Sequence, residues 1–335
     1  MRKYEFNLIT TEQVSKYHPD KYADQISDSI VALALTKNKN ARCAVETLVK
    51  NDTVVVAGEI GNVELNNDEI EYAVKMVARE LNYHVSRVIN LLDVQSTEIS
   101  QAVENENGEI GAGDQGFMVG FATRETPSYM PYGHDLANKI IKLIEKDVKN
   151  NKVLKGDAKT QITMEGDYLK TVLISACHYA EYDLDFIKNY ITNLVKDLIG
   201  DADLIINPAG AWTVGGAVAD SGLTGRKIVA DQYGGYMAVG GGAFSGKDLT
   251  KVDRSASYTA RNVAVGLLEK HKELEWVKIQ VGYAIGLPYP VSLTAISNLG
   301  DISYMLNRET FRVKNMIKAL KNINLYELSK GCHFG

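Results

Sequence analysis

Residues 41–81 read ARCAVETLVKNDTVVVAGEIGNVELNNDEIEYAVKMVAREL. Two strand-like runs, 41–49 and 53–60, are separated by Lys50-Asn51-Asp52-Thr53, and an Asn-Asp pair suits the tip of a hairpin. A stretch of helical apolar periodicity, 67–81, follows. Two neighbouring strands followed by a helix form the unit of an α+β layer, with helices on one face of each sheet. Similar signals recur: helices are predicted over 19–36, 134–149, 184–198, 254–270 and 310–319, and strands over 159–164, 171–177 and 276–283. The fold class expected is α+β. No repeat is strong enough at the residue level to prove internal duplication.

The same hairpin sets a local geometry. With Asn51-Asp52 at its tip, Glu46 faces Ala57, and Glu59 becomes its diagonal neighbour on one face. Two carboxylates that close repel unless a cation lies between them; the alternative is that this end of the face is wet. In the strand around Asp157, Asp157, Lys159 and Gln161 share one face, where Asp157 and Lys159 can form an ion pair.

A chain of 335 residues implies two or three domains. A net charge of -5 argues against general nucleic-acid affinity. No apolar run approaches the roughly 20 residues of a membrane span. The start MRKYEFNLITTEQ lacks the apolar centre of a secretory signal. Cys43, Cys177 and Cys332 leave an odd one and show no C-x-x-C spacing, so thiols in a reducing cytoplasm are expected. His84, His134, His178 and His271 lack metal-ligand spacing and read as structural.

Two segments carry chemistry. The run GGGAFSGKDLTKVD, residues 240–253, follows a Walker A loop for seven positions from Gly241 and then places Asp248 where a Ser or Thr belongs. A carboxylate there would repel phosphate, so a true P-loop is not expected. A glycine run carrying Lys247, Lys251 and Asp253 still suits a polyphosphate, or equally a surface loop before a helix capped by Asp253. Near the N-terminus, His18-Pro19-Asp20-Lys21 opens a helix, with Pro19 in its first turn. Asp20, Asp24 and Asp28 recur at i, i+4 and i+8 on one face. A solvated acidic face accounts for Asp28, but not for the whole His-Pro-Asp-Lys cluster.

Together with Gly111-Ala112-Gly113-Asp114-Gln115-Gly116, Val45-Glu46-Thr47, Gly58-Glu59-Ile60, Asp157-Ala158-Lys159 and Gly222-Leu223-Thr224-Gly225-Arg226-Lys227, these segments make the chain resemble the S-adenosylmethionine synthetases (methionine adenosyltransferases). The resemblance runs from Thr11 to Gly335. It implies three similar α+β domains about a pseudo-threefold axis with interleaved segments, here 1–97, 111–215 and 216–335. Residues 98–110 would be a gating loop, within a polar stretch STEISQAVENENG that buries little surface. It looks shorter than is usual for the family. The resemblance further implies a homodimer with sites at the subunit interface, or a tetramer.

The reaction implied is attack of methionine sulfur on C5′ of ATP, expelling triphosphate, which is then hydrolysed to phosphate and diphosphate. A thioether carries no proton to remove, which accords with the absence of a nucleophile–base pattern. Catalysis must come from alignment and pre-placed positive charge. By family position, His18, Lys21, Arg226 and Lys247 are the catalytic candidates, with His18 near the bridging oxygen at C5′. Asp157, Lys159, Ala211, Trp212, Asp220, Lys227 and Ala243 join His18, Arg226 and Lys247 as ATP contacts. Glu59, Gln95, Asp114, Asp220 and Lys251 match methionine contacts. Asp20 and Asp253 match Mg²⁺ ligands, two ions per site being expected, and Glu46 matches a K⁺ position.

Three departures fall around the nucleotide. Tyr17 stands where the family has Gly, and Ser221 where Cys is frequent. Ala209-Gly210-Ala211-Trp212 replaces Thr-Gly-Arg-Phe, so a guanidinium is lost and an indole stands at the adenine-stacking position. A non-catalytic nucleotide-binding relative and a bare polyphosphate hydrolase are the other readings. Retention of Glu59, Gln95, Asp114 and Lys251 argues against both.

Overall fold

The computed structural model describes residues 3–94, 109–150 and 153–335. Gln95 and most of the gating segment, residues 98–108, lie outside the described residues. The described residues form three four-stranded sheets.

An internal repeat that is invisible in the residues emerges from the topology. Strand β1 (Leu8–Val14) leads into α1 (Pro19–Lys37), the hairpin β2 (Arg42–Lys50) and β3 (Thr53–Gly61), α2 (Asn67–Glu80) and β4 (Arg87–Val94). The order recurs as β5 (Gly116–Thr123), α3 (Tyr132–Asn150), β6 (Leu154–Glu165), β7 (Tyr168–His178), α4 (Leu184–Ile199) and β8 (Asp203–Ile206). After a short α5 (Gly216–Ala219), the opening β-α-β-β recurs as β9 (Gly222–Leu223), α6 (Val252–Lys270), β10 (Trp276–Tyr283) and β11 (Ser292–Ser297), but here the last strand, β12 (Gly300–Asp301), precedes the second helix, α7 (Val313–Leu320), and a final α8 (Leu325–Leu328) follows. The long helix of each repeat has 19 residues.

The first strand of each repeat does not join its own sheet. β1 pairs antiparallel with β6, β5 with β10, and β9 with β2, so the three sheets exchange strands in a cycle. The interleaving expected above therefore takes a definite form. The fourth strand differs: β4 and β8 run parallel to their neighbours, whereas β12 returns antiparallel on β11. Helices α1, α3 and α6 each pack on the exchanged strand and on the first hairpin strand beside it.

The predicted hairpin register is observed, with Glu46 opposite Ala57 and Lys50 opposite Thr53. Helix ends fall within two residues of expectation, except that the predicted 310–319 helix begins later, after a 3₁₀ turn (Arg308–Phe311). Seven strands had no clear sequence signal; most are edge strands, and β9 and β12 have only two residues each. One expectation fails on α1. Its acidic face is not solvated, since Asp20, Asp24 and Asp28 are all buried between helix and loops. Asp253 is not the cap of α6 either: the helix begins at Val252, with Lys251 in the capping position.

Candidate active site

The acidic face of α1 organises the site. Each of its three carboxylates holds one backbone amide from a later loop and one cation. Asp20 accepts from the Leu223 N–H at 3.0 Å and binds Lys227 at 2.6 Å. Asp24 accepts from the Gly225 N–H at 2.9 Å and pairs with Lys21 at 3.0 Å. Asp28 accepts from the Gly246 N–H at 2.9 Å and takes a bidentate bond from Arg254, both arms at 2.7 Å. Residues four apart lie one above the other on a helix, which makes this ladder possible. Both loops need glycine at the tethered position. Gly225 has φ +77° and Gly246 φ +84°, and a Cβ on Gly246 would come within 1.9 Å of the Val45 carbonyl oxygen.

At the top of the ladder, His18 caps α1 by accepting the Asp20 N–H on Nδ1 at 3.1 Å. Burial, reinforced by Lys227 and Lys159, holds its imidazole well below the ordinary pKa. The ring is therefore neutral, and with Nδ1 accepting, Nε2 carries the proton. The 3.9 Å approach of Nδ1 to Asp20 is accordingly not an ion pair. Burial opposes ionisation of Asp20, but the bonds from Lys227 and Leu223 outweigh it and hold the carboxyl below its usual range. Arg226 is exposed beside Asp20, its Nε 3.6 Å away.

Asp157 lies in the same region. One oxygen accepts the Gly216 N–H at 2.7 Å, while Oδ1 is buried without a hydrogen-bond partner. Loss of hydration raises this carboxyl to about 6, with Asp220 and Asp20 adding to the rise and Gly216 and Lys159 opposing it. Among the described residues no ion pair joins Asp157 to Lys159. Trp212 is half-buried and anchored: its indole N–H donates to the Val214 carbonyl at 2.7 Å, and its backbone carbonyl accepts from the His178 N–H at 2.9 Å. It thus begins the segment whose Gly216 holds Asp157. The Tyr17 ring, at a departure from the family pattern, lies across Gly156, directly before Asp157. Asp157, Tyr17, Tyr83, Cys177 and Gly216 border a cavity of about 430 Å³. A larger one of about 670 Å³ is lined by Tyr4, Phe6, Glu125 and Tyr236 and shares no residue with the candidate site.

The glycine loop forms the second side. Lys247 pairs with Asp253 at 2.7 Å and bridges to Ala44 of β2. Lost hydration raises the Glu46 carboxyl even though the residue keeps exposed surface; Lys247 lowers it and Asp24 raises it further. Its electrical neighbours are thus Lys247 and Asp24, not the diagonal Glu59. Ala243 abuts Gly225 and joins the two sides. Asp248, the residue that breaks the Walker pattern, faces inward: it accepts from the Cys43 N–H at 2.7 Å and binds Lys251 at 2.7 Å. It locks the loop to β2 instead of meeting a phosphate.

His18, Asp20, Asp157, Lys159, Asp220, Arg226 and Lys227 are thus gathered, with Glu46, Lys247, Asp253 and Ala243 beside them. Lys21 is not presented to this surface, being 1% exposed and bound to Asp231 at 2.7 Å as well as to Asp24. Lys251 is turned to Asp248. Glu59 sits on the β2–β3 face opposite Ala44, and Asp114 is exposed before β5, two residues from Gly116, which adjoins Asp253. Sequence reasoning missed Asp231 and Arg254, which have no local signal, and saw in Asp248 only the break of a Walker pattern, not the clamp on β2. The i+4 spacing was the available clue to Asp24 and Asp28.

Three family models match successive parts of the chain: the N-terminal domain of S-adenosylmethionine synthetase over residues 6–107, its central domain over 109–212 and its C-terminal domain over 214–333. The chain belongs to the S-adenosylmethionine synthetase family. Its relatives include the S-adenosylmethionine synthase of Mycoplasmopsis pulmonis, 38% identical, with 98% of this chain and 93% of that protein covered. That of Clostridium botulinum is 41% identical over 85% of this chain and 81% of its own length. A solved structure, described as an unusual S-adenosylmethionine synthetase from Campylobacter jejuni, matches with a TM-score of 0.85 at 28% identity, covering 96% of this chain and 93% of that one. Membership makes the chain an enzyme of the methionine adenosyltransferase class.

Proposed function

We propose that the chain makes S-adenosylmethionine by direct displacement. A lone pair on methionine sulfur forms the S–C5′ bond as the C5′–O bond of ATP breaks, and the pair from that bond leaves with the triphosphate. Water then splits the triphosphate into phosphate and diphosphate. The observation that carries this reading is the set of cations, Arg226, Lys227 and Lys247, on loops whose amides are tied to the buried ladder of α1. Such groups are aimed before the charge develops, which is how a protein lowers the barrier of a step that builds negative charge. Neutral His18 contributes an Nε2–H donor for the oxygen that leaves C5′, and needs to accept no proton. The ionised Asp20 offers its negative charge to cations alone.

Mg²⁺ fits Asp20 and Asp253. Each is a carboxylate that already attracts a lysine ammonium to within 2.7 Å, and Mg²⁺ on a phosphate chain takes one or two carboxylates and keeps waters. When bound, Mg²⁺ would neutralise charge on the triphosphate. Glu46, with its poorly hydrated carboxyl, is the K⁺ candidate. Self-association fits the face of the β2–β3–β4 sheet away from α1, where Leu48, Leu91 and Leu223 are exposed. Two copies paired there would enclose Glu46 and Glu59. No helix among the described residues is long and apolar enough to cross a membrane.

The test is one incubation with ATP, methionine, Mg²⁺ and K⁺, assayed for sulfonium product and for phosphate plus diphosphate. Phosphate without methionine would mean a hydrolase, and neither product would mean a binding protein.

A further inference from the structure

Lys21 belongs to the His-Pro-Asp-Lys cluster, yet its ammonium is spent inside the fold. Burial disfavours its charge, but Asp231 and Asp24 outweigh that and keep it protonated. Asp24 is fully buried, and its Oδ1 is the acceptor for the Gly225 amide. Gly225 immediately precedes Arg226 and Lys227, and a Cβ there would lie 2.7 Å from the Ala243 Cβ. This turn is therefore clamped between α1 and the glycine loop. Neighbouring cations repel one another, so a turn carrying two of them, with Lys159 also beside His18, needs an anchor.

We infer that Lys21 and Asp24 are positioning residues for the reaction proposed above: Lys21, 3.0 Å from Asp24, holds that carboxyl in place, and Asp24 fixes, through the Gly225 amide, where Arg226 and Lys227 stand. Lys21 then touches neither ATP nor triphosphate. The inference rests on the displacement reading, because that reaction is what the placed cations serve. The same logic repeats one rung lower, where Arg254 neutralises Asp28 and Asp28 holds Gly246 beside Lys247. That lower rung is the poorer test, since Asp28→Asn would strand a fully buried guanidinium and can abolish folding. Asp24→Asn leaves Lys21 with Asp231 as its partner.

The experiment compares Lys21→Met, Asp24→Asn and the double variant in the full-length chain. It measures kcat, KM for ATP and methionine, thermal midpoint, and backbone hydrogen exchange of residues 222–227 against the β6–β7 hairpin. Each single variant is expected to lose roughly 10- to 10²-fold in kcat, the scale of displacing an aligned group by about 1 Å. KM for methionine should stay within about twofold by the same argument, because no methionine contact moves. Exchange in 222–227 should rise selectively, and the double variant should be no worse than the poorer single. A crippled Lys21→Met beside a near-normal Asp24→Asn would overturn the inference, as would losses that multiply in the double variant. So would unchanged exchange in 222–227 of Asp24→Asn, or an equal rise across the hairpin, which would mark the pair as merely structural. A wild-type chain that makes no sulfonium would instead sink the displacement reading, while the exchange comparison still decides whether the tether exists.

Discussion

Asp157 should make ATP use pH-dependent, and in a sense opposite to its effect on the fold. Its carboxyl is raised to about 6 from 3.8, mainly because burial strips its hydration. A folded-state value above the unfolded one means that the protonated form is the one the fold prefers. The associated stability is fully present below the unfolded value and is lost as pH rises through about 6; the gap is worth at most about 3 kcal/mol. Hydroxyl and N–H donors of a bound nucleotide, by contrast, are accepted best by an ionised carboxylate, and Oδ1 of Asp157 is buried without a partner. With a value of about 6, roughly nine-tenths of Asp157 is ionised at pH 7 and roughly one-tenth at pH 5. kcat/KM for ATP should therefore fall about tenfold between those values, with an acid limb near 6. Asp157→Asn should flatten that limb at a reduced plateau, and should melt no lower than wild type at pH 8, where ionised Asp157 opposes folding. The comparison also separates the enzyme's titration from that of ATP, since ATP is common to both. An acid limb that survives unchanged in Asp157→Asn would refute the reasoning.

Lys247→Ala should lower kcat by roughly 10²–10³, the scale of one preorganised charge-stabilising group; near-normal turnover would remove it from the site. Asp20→Asn and Asp253→Asn should each raise the Mg²⁺ concentration needed for half-maximal rate, because an amide is a weaker ligand for a hard cation. Unchanged Mg²⁺ titrations in both would leave these carboxylates as partners of Lys227 and Lys247 alone. Trp212→Ala should weaken ATP by roughly 5- to 150-fold, as lost base stacking of about 1–3 kcal/mol requires. Trp212→Phe should keep most of that affinity while losing some stability with the indole bond to Val214. Equal losses in the two variants would make Trp212 a packing residue.

What the sequence revealed depended on distance along the chain. The β2–β3 register followed from a four-residue turn, and the start of α1 from His18 and Pro19, because both are local. The acidic ladder was half-legible: the i+4 spacing placed three carboxylates on one face, but water was the expected partner. Lys21 apart, their actual partners lie 201 to 226 residues away, Gly225, Gly246 and Arg254 among them. No periodicity records such a pairing. Asp248 shows the same limit, since a residue that spoils a phosphate loop in sequence is in space a clamp on β2. The threefold repetition was hidden because its units share only an opening β-α-β-β order and the length of its helix, which quite different side chains satisfy.

The cyclic exchange of strands has a consequence for how the chain is made. During synthesis from the N-terminus, β1 must wait for β6, and the sheet of β2 and β3 stays one strand short until Gly222 and Leu223 have emerged. No third of the molecule is a self-sufficient folding unit, although the boundaries between family models fall near residues 108 and 213. A chain severed at either place would yield pieces with an unfilled sheet edge, the kind of edge that recruits other strands. Such pieces would become soluble by finding one another. Sheet closure therefore depends on contacts far apart in sequence, and slow, late-closing folding with exposure to mispairing until the C-terminal third is complete is the expected consequence.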